Sequence, residues 1–147
     1  MKLNPDQIVA RTLLSSLLRP TTTTVPARRL GAAVAQHEQP LTLLALREVL
    51  TLLEVDTLAT RLMPEDLPEL PCPALAYLSI GHVGCFVVVY KADQNAISWR
   101  HPEYGCLSTT LATFARIWSG IVLLAELDYR ADAPDGNEKG WRRWLPA

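Results

Sequence analysis

The sequence predicts an α+β domain with its helices first and a largely antiparallel sheet after them. Three observations carry this. The first fifty residues are dominated by apolar positions at helical spacing. From Pro73 onward, short runs rich in branched and aromatic residues alternate with turn signals: PALAYL, GHVGCFVVVYK and NAISWRHPEYG. A helix-period segment and a last apolar run, STTLATFARIWSGIVLLAE, close the pattern. Helices segregated from an antiparallel sheet make an α+β arrangement.

In chain order, Asp6 is placed to cap a helix running to about Leu18, with Val9, Ala10, Leu13, Leu14 and Leu17 on one face. Arg19-Pro20 and four threonines end it. Pro26 suits the first turn of a second helix reaching about Gln36, and Thr42 is placed to cap a third, LLALREVLTLLEV. That helix is apolar nearly all round and is expected to be the buried one. Thr57 to Met63 reads as a strand, and Pro64 to Pro73, with four prolines, as a connection.

In the second half, Phe86 to Tyr90 is a continuous apolar run, as expected of a strand covered on both faces. Asp93-Gln94-Asn95 is a turn into Ala96–Trp99, making an antiparallel hairpin. Pro102 to Gly105 ends that strand. Ser108 is placed to cap a helix whose Leu111, Phe114, Ala115 and Trp118 face the sheet, and Gly120 allows the turn into a final buried strand.

The bulk numbers narrow the function. A chain of 147 residues suits one domain with a real core. A net charge of −1 points away from nucleic acid. Three cysteines without regular spacing make no disulfide framework, which favours a reducing, cytoplasmic compartment. Asp6 and Arg11 interrupt what would otherwise be a signal-peptide core, and no run reaches the ~20 apolar residues of a membrane span. We therefore divide the chain into a folded unit, 1–127, and a tail, 128–147. The tail is polar, then basic and tryptophan-rich. Lys139, Arg142 and Arg143 with Trp141 and Trp144 suit either a juxtamembrane linker or a terminus packed back on the domain.

With these runs laid out, the chain resembles the papain-like peptidase domain at the N-terminus of bacteriocin-exporting ABC transporters, family thirty-nine of the cysteine peptidases. The resemblance rests on PALAYL, CFVVVY at 85–90, HPEYG at 101–105, and Phe114-x3-Trp118-x-Gly120 leading into SGIVLLAE. It covers roughly residues 25 to 126 and implies a papain-like fold with a peptide-binding groove between its helical and sheet halves. Active members process double-glycine leader peptides with a cysteine at the start of the first helix, a histidine opening a strand, and an aspartate before a proline. Here the first helix reads PDQIVARTLLSSLL, where Ile8 and Val9 have no nucleophilic atom; Cys85 stands at the histidine position and His101 at the aspartate position. A papain-type mechanism needs a thiolate beside an imidazole and an oxyanion donor. The resemblance thus implies a pseudo-peptidase that binds a peptide, leader sequence or neighbouring domain, with no cofactor.

The chain is also similar to the degenerate version of this domain fused ahead of vitamin K epoxide reductase-like and thioredoxin-like domains. His37-Glu38-Gln39-Pro40 before LTLLAL, and LLAE before an acidic and then basic tail, carry that likeness. It implies the N-terminal, cytoplasmic part of a larger membrane protein of transport or thiol redox, lying at the inner face of the membrane.

Two other chemistries stand beside this reading. Cys85 and His101 face each other on neighbouring strands in the family fold, and a Cys–His contact can make a thiol reactive. The alternatives are a relocated peptidase pair and a buried cysteine beside a half-exposed histidine. His82-x2-Cys85 and His101-x4-Cys106 also offer soft ligands for zinc. Cys72, between two prolines, is read as a loop thiol, and His37 as a cation at a helix C-terminus.

Overall fold

The computed structural model describes residues 2–128; the basic, tryptophan-rich part of the tail lies outside the described residues. The element order is α1 (Pro5–Leu18), α2 (Ala27–Ala35), α3 (Leu43–Leu52), β1 (Thr57–Arg61), a 3-10 turn (Pro64–Glu69), β2 (Ala74–Ile80), β3 (Val83–Ala92), β4 (Ile97–His101), β5 (Gly105–Thr109), α4 (Leu111–Ile117) and β6 (Trp118–Ala125). The six strands form one antiparallel sheet in the order β1-β6-β2-β3-β4-β5. The α+β class read from the sequence is what is found.

Strand alternation sorts the core onto the two faces of this sheet. Leu75, Phe86, Val88, Leu123 and Ala125 point toward α1, α2 and α3. Ala74, Ala76, Leu78, Val87, Val89, Val122 and Leu124 point the other way, onto α4 and the 3-10 turn. The central strands are therefore buried on both sides, as the continuous run Phe86–Tyr90 implies.

Helix α1 starts two residues earlier than predicted. Asn4, not Asp6, is its N-cap: Asn4 Oδ1 accepts from the Gln7 amide and Gln7 Oε1 accepts from the Asn4 amide, both at 2.8 Å. Gln7 Nε2 also donates to the His37 carbonyl at 2.8 Å, tying the start of α1 to the end of α2. Burial is concentrated on α1, where Ala10, Leu13, Leu14, Leu17 and Leu18 are all buried. Thr42 does cap α3, accepting from the Ala45 amide at 3.1 Å, but α3 is not the enclosed helix its sequence suggests. Only Ala45, Leu46, Val49 and Leu50 are buried, while Leu44 and Leu52 face out at 62% and 45% exposure. A ten-residue helix packed by one face leaves some leucine outside whenever the sequence has leucine all round.

Two further boundaries move. The strand read as Thr57–Met63 ends at Arg61, with the Leu62 amide bonded to the Gly120 carbonyl. After Gly105 the chain forms an additional edge strand, β5, where a helix cap at Ser108 was expected; the cap of α4 is Thr110, accepting from the Thr113 amide at 3.1 Å. Trp118 already belongs to β6, and Gly120 turns that strand at φ +89, close to the Leu62 carbonyl.

Candidate functional site

The cleft implied by the resemblance has three corners: the start of α1, the start of β3 and the end of β4. At the first, Gln7 is buried and committed to its capping bonds, and the next residue, Ile8, is 45% exposed and purely hydrocarbon.

At the second, Cys85 is half-buried on β3, opposite Leu78 of β2, and packs on the α4 side of the sheet. Burial pushes its thiol pKa up, and the nearby Glu103 carboxylate pushes it further the same way. Both effects disfavour the thiolate that a nucleophile requires.

At the third corner, His101 is buried at the end of β4. Its Nδ1 accepts from the amides of Glu103 at 3.0 Å and Tyr104 at 3.2 Å. Two donors converging on Nδ1 leave the ring proton on Nε2. The Tyr104 ring stacks on the imidazole with centroids 4.4 Å apart. The histidine thus closes the turn 101–104 as an aspartate before Pro-x-x would, accepting from backbone two and three residues on.

Val88 pairs with Arg100, so His101 lies beside Val87, one same-face step from Cys85. The structure does bring the two predicted residues to one end of the sheet. It does not join them: among the described residues no hydrogen bond links Cys85 Sγ to His101, whose Nδ1 is already engaged.

The zinc set fails on geometry. Cys106 pairs with Arg100 across β4 and β5, which sends it to the opposite face of the sheet from Cys85 and His101. His82 sits in the tight turn between β2 and β3 with φ +69. Among the described residues no three His, Cys, Asp or Glu side chains are placed to hold a metal ion. Cys72 is a packed loop thiol, buried with Sγ 3.4 Å from the Leu70 carbonyl. His37 Nε2 meets Glu48 at 2.7 Å, a partner on α3 that the helix-dipole argument does not supply.

Sequence reasoning missed a groove of about 500 Å³ along α1, closed by the segment that follows it, by Leu30 of α2 and by Arg100 of β4. Arg11, Arg19 and Arg100 come together there from positions far apart in the chain.

The model of the Peptidase C39 family matches residues 11–128. The chain belongs to the Peptidase C39 family. The match opens at Arg11, after Ile8 and Val9. Among solved structures, this C39 chain is similar to a double-glycine-motif protease from an AMS/PCAT transporter, solved in complex with the leader peptide, at 20% identity and TM-score 0.62, covering 85% of this chain and 87% of that one. It is similar to the peptidase domain of Streptococcus ComA, a bifunctional ABC transporter, at 16% identity and TM-score 0.65, covering 84% and 93%. It is also similar to the N-terminal peptidase C39-like domain of a toxin secretion ATP-binding protein from Vibrio parahaemolyticus, at 16% identity and TM-score 0.60, covering 86% and 98%. At these identities the likeness is one of fold. Comparison with curated proteins gave no match. No described helix of this C39 domain is long and apolar enough to cross a membrane.

The state of Cys85 is directly measurable. Its alkylation by iodoacetamide is expected to be slow at neutral pH and to accelerate only above the ordinary thiol range, because a raised pKa delays thiolate formation. Glu103→Gln removes the smaller of the two contributions and is expected to shift the alkylation profile modestly toward lower pH. A midpoint below that of a free thiol would contradict the burial argument.

Proposed function

We propose that this C39 domain binds a peptide and does not cut it. The observation that carries the reading is hydrocarbon at the start of α1, where Ile8, 45% exposed, and Val9 offer no nucleophilic atom. The rest agrees with it. Cys85 is held toward its thiol form and His101 is occupied by its own turn. Recognition by apolar pockets and backbone pairing does not depend on a catalytic triad. The AMS/PCAT protease was solved with a leader peptide bound, and a leader-like segment or a neighbouring domain is the ligand class we assign here. In this reading the domain is the cytoplasmic N-terminal part of a larger membrane protein of transport or thiol redox, with its membrane partner in the same polypeptide.

The test is incubation of the purified chain with a synthetic double-glycine precursor, followed by mass spectrometry and by a binding assay on the same peptide. Binding with the precursor intact is expected. Cleavage after Gly-Gly that disappears in Cys85→Ser would overturn the reading in favour of a relocated Cys85/His101 peptidase.

A further inference from the structure

The groove along α1 has a chemical bias of its own. Among the described residues three arginines line it, Arg11 and Arg19 from α1 and Arg100 from β4, and none of the lining residues is acidic. Leu18, Val25 and Leu30 add apolar wall, and threonine and serine hydroxyls fill the rest. Arg11 and Arg19 are exposed. Arg100 differs from them in being half-buried. The Tyr90 phenol lies beside the Arg100 guanidinium, whose Nη1 donates to Cys106 Sγ of β5 at 4.0 Å. The Nε–H of Arg100 is buried and has no hydrogen-bond partner among the described residues. A buried donor left unpaired in a groove of uniform positive charge calls for an acceptor from outside the domain.

We infer that this groove binds an acidic peptide segment, with a carboxylate of the ligand meeting Arg100 and further acidic side chains meeting Arg11 and Arg19. The inference rests on the peptide-binding reading above and names the ligand's chemistry. The volume far exceeds a single carboxylate or phosphate, and the apolar wall asks for leucine-like side chains between the charges. That combination describes a peptide and not a free anion. Charge-assisted hydrogen bonds to a fixed guanidinium are the strong ones, and they discriminate a carboxylate from its amide.

The experiment uses the whole chain and two fluorescein-labelled synthetic peptides that end in Gly-Gly. One alternates leucine with glutamate, and its twin carries glutamine at every glutamate. Fluorescence polarisation at low salt is expected to show the glutamate peptide binding about tenfold or more tightly than its twin. The difference should narrow as sodium chloride rises. Arg100→Gln, and separately Arg11→Gln with Arg19→Gln, are expected to reduce it by weakening the glutamate peptide more than its twin, and Arg100→Lys is expected to keep part of it. The two exposed arginines can be replaced without touching the core, so the test survives if Arg100→Gln misfolds. Equal binding of the two peptides by the wild-type chain would overturn this inference and leave the peptide reading standing. Binding of neither peptide, by protein with native circular dichroism, would overturn both. Displacement of the glutamate peptide by tripolyphosphate at comparable concentration would reassign the groove to a phosphate-bearing ligand and overturn the assignment to a peptide.

Discussion

Phe114→Ala is expected to destabilise the domain by about 3–5 kcal/mol in chemical denaturation, as complete truncation of a buried phenylalanine does elsewhere. Phe114 is wholly buried. Its ring meets Trp99 edge-on, with centroids 5.7 Å apart and planes at 67°, and lies 6.2 Å from Trp118. α4 has only seven residues, far too few to be helical unaided, so it persists because Phe114 is set among the aromatic rings of β4 and β6. A loss of this size approaches the whole stability of many domains. The variant should therefore show a strongly lowered midpoint, and Phe114→Leu, which keeps most of the volume, a much smaller change. A loss below about 1 kcal/mol for the alanine variant would mean that the α4 face relaxes around the void instead of holding its shape.

Phe114 was legible in the sequence as a sheet-facing residue of a short helix, whereas Trp118, read at helical spacing from it, already belongs to β6 and Gly120 lies inside that strand. Also legible were the hairpin at Asp93, whose carboxylate accepts from the amides of Asn95 and Ala96, and the double-sided burial of Phe86–Tyr90. What could not be read depended on contacts between distant segments. β5 is an edge strand whose residues are mostly exposed, so Cys106–Thr109 shows no alternation and its hydroxyls mimic a helix cap. The outward leucines of α3 carry no mark that distinguishes them from the inward ones. Arg11, Arg19 and Arg100 give no local signal at all, since only the packing of α1 against the sheet assembles them. Of the candidate site, the hydrocarbon at Ile8 and Val9 and the types of Cys85 and His101 were legible in the sequence. That His101 would be engaged by its own turn was not, although a histidine two and three residues before backbone amides, with a proline between, was a clue of the Asx-turn kind.

The role of His101 leads to an expected result with a built-in control. His101→Ala removes the acceptor for two amides, at Glu103 and Tyr104, and the ring on which Tyr104 stacks. The two amides belong to exposed residues, where water can replace the lost acceptor, so the loss is expected to be about 1 kcal/mol, the net worth of a typical hydrogen bond. His101→Asp should recover much of this, since a carboxylate on the shorter side chain accepts from the same two amides in an Asx turn. If the residue served as an imidazole for catalysis, alanine and aspartate would behave alike in a peptidase assay, and neither would follow stability. If it serves as a turn acceptor, aspartate and histidine should group together in denaturation midpoint, with alanine apart. On the peptide-binding reading proposed above, aspartate at 101 is expected to return the turn's chemistry and to bring no hydrolysis. Alanine and aspartate variants of equal stability would remove the structural explanation for a histidine at this position and reopen the case for a Cys85–His101 pair.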